Sequence, residues 1–388
     1  MIYKKLSDEL CMHELGREVK EGKSKEEITG DIIFTFSSFF KNKENLKRYS
    51  LDFLVHDWIN YNKNNYEGLH DHIQEVVDYL NSVKAVEPDS VYKAFAEFQE
   101  LTTEMGNKHW SLCILQRDLS ELELFEYITE VFGLIENIGE VMLKVFLGFL
   151  VYIKRLKANP TVELDKVMKL SFGNIYNEFK TLGILADFTC SEIHNVPLTQ
   201  WRNIACHKSY KVVGTSIKCA YGRNLDKEVV VEDKEELLEI SVLLNTLSQI
   251  VNFATKFFLY DNIYEISPYY QAVTKTSTIR DETWQMLFHT ELFTNGFELI
   301  NVNDDGMVVT VTVQEMTDQD VKLRSVKASA FLFKLWELTN RTKVAIDYID
   351  KSGVAYLKSQ TTATVCSEIA VGKKEFVYLA EKAEFIRL

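Results

Sequence analysis

Over most of the first 260 residues apolar positions recur at three- and four-residue spacing, the pattern of amphipathic helices. Ile28, Ile32, Ile33, Phe36, Phe39 and Phe40 predict a helix over 25–40. Tyr49, Phe53, Leu54, Trp58 and Tyr61 predict a second over 46–61. Ile73, Val76, Val77 and Leu80 make a third apolar face; Val91, Phe95, Phe98 and Leu101 make a fourth behind Pro88-Asp89. A long helix follows over about 120–157. Asp118 or Ser120 is placed to cap it, Glu121 and Glu123 suit its positive end, and Asn159-Pro160 stops it. A shorter helix covers 162–179. Pro197 fits the first turn of the next, which holds Trp201, Ile204 and Ala205. Residues 215–220 and 228–231 read as extended about a polar turn, and Asp233 opens a further long helix to about Phe258.

After about Tyr264 the pattern changes. A Ser-, Thr- and Tyr-rich linker runs over 266–279, and Met307–Val313 (MVVTVTV) is a β-branched run behind Asp304-Asp305-Gly306. Residues 326–338 read as helix, whereas 344–349, 354–357, 361–369 and 376–379 read as short strands. The expected fold is therefore mainly α, a helical bundle with an N-terminal helical region (1–118), a central bundle (119–265) and a smaller C-terminal α+β domain (280–388). Only 4 Pro and 16 Gly in 388 residues agree with a helix-rich chain.

Six cysteines, at 11, 113, 190, 206, 219 and 366, show no CxxC pair, so a reducing, cytoplasmic setting is expected and no zinc-finger spacing exists. Residues 1–20 are charged throughout and lack the apolar core of a signal peptide. The apolar stretch Val141–Ile153 is shorter than the ~20 residues that span a bilayer, so no membrane association is expected. There is no GxxxxGK, GxGxxG or GxSxG, which disfavours common nucleotide and serine-hydrolase chemistry. His70-Asp71-His72 lies on a predicted helix where residues two apart diverge, so no metal is expected there. His56-Asp57 beside Trp58 reads as structural.

The net charge is −13, which excludes a generally basic nucleic-acid coat but not a local basic groove. Between Ile193 and Leu225 there is no Asp or Glu, where the overall acid frequency predicts about five. The same strip carries Arg202, Lys208, Lys211, Lys218 and Arg223, with His194 and His207. Such a strip either admits a phosphate backbone or pairs with acids elsewhere in the fold.

Within it lies Trp201-Arg202-Asn203-Ile204-Ala205-Cys206-His207-Lys208, an Arg followed by Asn and, four residues further, by His. This segment resembles the RX4–6H motif of the HEPN superfamily (higher eukaryotes and prokaryotes nucleotide-binding), and the helical surroundings over roughly 119–262 are similar to its bundle. The resemblance implies a metal-independent endoribonuclease without cofactor, formed as a homodimer, with Arg202, Asn203 and His207 catalytic. It also implies a bacterial toxin or abortive-infection role in defence against phage, with an antitoxin or other defence-system protein as a partner.

The residues themselves suit that chemistry. Imidazole exchanges protons near neutral pH, guanidinium grips phosphate through paired hydrogen bonds, and an amide orients. Lys208, Lys211, Lys218 and Arg223 are the expected RNA contacts. On a regular helix Arg202 and His207 sit about 140° apart, while Asn203 and His207 share a face. One chain therefore does not aim both groups at one phosphate, whereas two chains across a two-fold axis can. Tyr210 reads as a packing residue. The competing expectation is a non-catalytic helical scaffold or nucleic-acid-binding subunit.

Overall fold

A computed structural model describes residues 24–64, 66–115, 119, 122–190, 192–193, 195–272, 280–370 and 373–388. The protein is mainly α with a C-terminal α+β region, and it packs as two compact units. Among the described residues, one comprises 36–46 and 64–272, and the other comprises 24–35, 47–63 and 280–388.

In the first unit the long helix Lys234–Asp261 is the central element. Asp233 caps it by accepting from the Glu236 amide at 3.0 Å. Helices Leu69–Lys84 and Leu124–Asn137 pack against it, and Lys144–Ala158 joins them. Helix Pro88–Leu115 belongs to the same core: Phe95 stacks on Phe258 at 4.6 Å and Phe98 on Phe149 at 3.9 Å between ring centroids. The boundary expected at 118 is thus not where the packing divides the chain. Aromatic contacts across it tie residues 88–115 to the bundle.

Lys234–Asp261 is also long and apolar enough, by composition, to cross a membrane. In this unit 61% of its most apolar stretch is buried, which is the environment of a core helix. The helix expected over 120–157 is Leu124–Asn137, a π-helical turn Ile138–Leu143, and Lys144–Ala158. Its expected caps Asp118 and Ser120 lie outside the described residues. The helix expected over 162–179 splits into Leu164–Met168 and Phe172–Lys180, the second capped by Ser171. Strands β1 (Glu192–Ile193) and β2 (Val196–Pro197) lead into the motif helix Leu198–His207. A three-stranded antiparallel sheet follows: β3 (Tyr210–Val213), β4 (Ser216–Tyr221) and β5 (Lys227–Val231). Strand β3 was not expected from the sequence.

The second unit holds a five-stranded sheet: β6 (Phe297–Asp304), β7 (Val308–Glu315), β8 (Lys343–Ile349), β9 (Ala355–Thr362) and β10 (Glu384–Arg387). They lie in the order β10-β9-β8-β7-β6, with only β7 and β8 parallel. Val309, Val311 and Val313 alternate into a core with Ile346, Tyr348, Phe288 and Leu332. Helix Asp281–Thr294 precedes the sheet, and Val321–Ser329 with Phe331–Thr339 makes the crossover. Two expected strands are corrected. Residues 363–370 and 377–382 are helices, the first burying Cys366 against the sheet core. Trp58 donates to Thr35 Oγ1 at 2.9 Å and Asp57 is buried, so the side chains described around His56 are structural.

Candidate active site

The motif helix is amphipathic, and its faces do different work. Leu198, Trp201, Ile204 and Ala205 are buried against the bundle. Gln200, Asn203 and His207, three and four residues apart, line open clefts on the other side. Lys208 ends the helix in the left-handed conformation (φ 51°), and the chain turns at once into β3.

Arg202 does not line these clefts. Its guanidinium pairs with Glu140 on the π-helical turn, and its Nη1 donates to Asn203 Oδ1 at 2.8 Å. The close approach depends on Gly139: a Cβ there would fall 2.8 Å from Arg202 Cγ and 3.2 Å from its Cβ. Glu140 also faces Lys144 at 3.7 Å. Cys206 sits beside this pair. Burial pushes its thiol up, Arg202 opposes that, and Glu136, which is hydrogen-bonded to it, adds to it.

The larger cleft, about 580 Å³, is lined by Gln200, Asn203, Ile204, His207, Ser209, Ala220, Tyr221, Gly222, Arg223 and Leu225. Gly222 has φ +91°, and a Cβ on it would collide with Asp226 Oδ1. That turn lets the Gly222 amide donate to Gln200 Oε1 at 3.3 Å and brings Arg223 to the cleft wall. A second cleft of about 320 Å³ shares Gln200 and Asn203 with the first and extends to helix Phe172–Lys180.

The fold therefore brings together Asn203, His207 and Arg223 and places Arg202 behind Asn203. Lys208 and Lys211 are exposed outside the cleft lining. Lys218 stands opposite Lys211 across β3–β4 and pairs with Glu228 at 3.6 Å. Part of the acid-free strip is thus neutralised by acids from outside it, at Arg202 and Lys218. Tyr210 stacks on Phe132 at 4.1 Å, a packing role. His194 lies outside the described residues. His72 faces Asp187 at 3.4 Å and Glu75 at 3.7 Å, and no group of three metal-binding side chains occurs among the described residues.

Glu140, Gly139 and Gln200 were not singled out from the sequence. Gln200 was detectable, because it lies three residues before Asn203 on the polar face. Glu140 was not, because only tertiary packing brings it to Arg202. No family model, curated protein or solved structure matches the chain.

Proposed function

We propose that the protein is a metal-independent endoribonuclease of the HEPN type, working as a homodimer in cytoplasmic defence against phage or as a toxin. The observation that carries this reading is the link from Arg202 through Asn203 to a cleft shared by His207 and Arg223. In this reading the ribose 2′-oxygen attacks phosphorus, the new O2′–P bond forms, and the P–O5′ bond breaks. His207 of one subunit takes the 2′-hydroxyl proton, and the second subunit's His207 gives a proton to the leaving O5′. Arg223 offers the phosphate paired donors. Arg202 is a positioning residue: it holds Asn203 Oδ1, so the Asn203 amide hydrogens are left for the substrate. No cofactor is invoked. The N-terminal helices and the α+β unit are surfaces for an antitoxin or another defence-system protein.

The test is labelled RNA incubated with the protein in chelator. Products ending in 2′,3′-cyclic phosphate and 5′-hydroxyl support the proposal, and uncut DNA agrees with it because DNA lacks the 2′-hydroxyl. Strict magnesium dependence or 5′-phosphate products reject it. A second reading, a nucleic-acid-binding scaffold, is favoured by the Glu140 carboxylate, which neutralises Arg202. It predicts RNA binding without cleavage.

A further inference from the structure

Strand β3 is an edge of the three-stranded sheet, with β4 on one side and, among the described residues, no strand on the other. The Ala220 amide donates to the Ser209 carbonyl at 2.8 Å, so these two residues form a hydrogen-bonded pair of the antiparallel ladder. Such pairs recur at every second residue, which makes Lys211 with Lys218 and Val213 with Ser216 the next two. The backbone N–H and C=O of Lys211 and Val213 therefore point to β4. Those of Tyr210 and Val212 point away from it and form an open edge.

The two faces of this edge differ. On the inner face Tyr210 and Val212 stand opposite Cys219 and Ile217, which are fully buried, and Tyr210 stacks on Phe132. Tyr210 and Val212 are themselves only half-buried, since no further strand extends that layer. On the outer face Lys211 stands directly opposite Lys218, and like charges so placed repel. Glu228 pairs with Lys218 at 3.6 Å. Among the described residues no acid pairs with Lys211, or with Lys208 at the turn into β3, and both are exposed outside the clefts.

From this we infer that β3 is a docking edge for an extended acidic segment of a partner protein, which adds a fourth strand to the sheet. The backbone of that segment takes up the open groups of Tyr210 and Val212. Its carboxylates meet Lys211 and Lys208 on the outer face, and the apolar residues between them continue the inner layer. RNA fits this edge less well. A sugar–phosphate chain offers no alternating N–H and C=O groups at strand spacing, and no aromatic side chain stands on the outer face to stack a base. A second copy also fits less well, because antiparallel self-pairing of so short a strand sets two Lys211 side chains on one face. The edge lies outside the clefts, so the inference holds whether or not RNA is cut there.

The test uses the full chain and a short, capped, labelled peptide that alternates valine and glutamate, read by fluorescence anisotropy and by hydrogen exchange over 209–214. The peptide should bind, slow exchange in that segment and weaken with added salt. The same peptide with N-methylated valines cannot pair along an edge and should not bind. Lys211→Glu should weaken binding about fivefold. Val212→Pro removes an outward N–H while leaving the bonds to β4, a place where proline is tolerated, and should abolish binding. Circular dichroism establishes that both variants fold. Equal binding of the N-methylated peptide, or Val212→Pro binding as the wild type does, overturns the inference. So does a 2′-O-methyl RNA oligomer that displaces the peptide and itself slows exchange over 209–214, which would give these lysines to RNA. Failure of the acidic peptide to bind also overturns it, and self-association of Lys211→Ala would then make Lys211 a guard against edge-to-edge aggregation.

Discussion

Two Arg–Glu pairs, one in each compact unit, differ in how completely their hydrogen bonds are closed by the surrounding protein. In the sheet unit Arg324 and Glu315 are 3% and 1% exposed, with Nε to Oε2 at 2.7 Å. Arg324 also donates to the Asn295 and Gly296 carbonyls and lies 4.0 Å from the centre of the Phe297 ring. Glu315 accepts from Tyr348 and Thr317 as well. Burial alone would raise the Glu315 carboxyl; the bonds from Arg324 and Thr317 outweigh it and hold it below its usual value. In the bundle unit Arg202 and Glu140 are 23% and 27% exposed, and Arg202 Nε has no hydrogen-bond partner among the described residues. Its Nη1 also donates to Asn203, a residue that lines both clefts. A network closed on every side specifies packing, whereas one that ends in an open cleft has capacity left for a ligand.

The largest expected effect that sharpens this contrast is on cleavage. His207→Ala should lower the rate about 10²–10⁴-fold, measured on labelled RNA in chelator, without unfolding an exposed helix end. Next is Arg324→Ala, which strands a buried carboxylate. It should destabilise the sheet unit by about 3–5 kcal/mol in denaturant titration. An unchanged midpoint would show that this network is not structural.

A third prediction concerns pH. His289 is fully buried in the sheet unit, and burial pushes its pKa down to about 4, with Glu298 opposing. Between about 4 and about 6.5 the unfolded chain binds a proton that the folded chain refuses. Stability of this unit should be level above about 6.5 and fall by up to about 3 kcal/mol as the pH drops to 4. In His289→Phe that part of the slope should vanish. The smallest effect belongs to Glu140→Gln. It removes the charge that neutralises Arg202, so RNA affinity should rise a few-fold at low salt and converge with the wild type at high salt. Lower affinity at all salt concentrations would mean that Glu140 acts by holding Arg202 in place.

The sequence revealed what periodicity and spacing encode. Pro197 marked the start of the motif helix, and the three- and four-residue steps put Asn203 with His207 and turned Arg202 away, as found. Asp233 marked the central helix. Features made by packing were hidden: the stacking of Phe95 and Phe98 that draws residues 88–115 into the bundle, the Glu140 partner, and Lys180 arriving from a separate helix. Local propensity misled in two places. TTATV and FVYL are β-branched or aromatic runs that favour strands, yet after β9 the chain turns into helices. Helix Asp281–Thr294, with buried Trp284, Phe288 and Leu292 beside polar His289, Thr290 and Thr294, carried too mixed a face to stand out.

The most direct measurement takes one protein, Arg202→Ala, and reads both cleavage and stability. RNA cleavage in chelator and the thermal midpoint are followed beside the wild type. The account predicts a rate lower by about 10²–10³ with a midpoint displaced by no more than a few degrees, because the pair is half-open and its function is positioning. A midpoint that falls steeply while cleavage per folded molecule is unchanged would contradict it, and would make Arg202–Glu140 a structural pair like Arg324–Glu315.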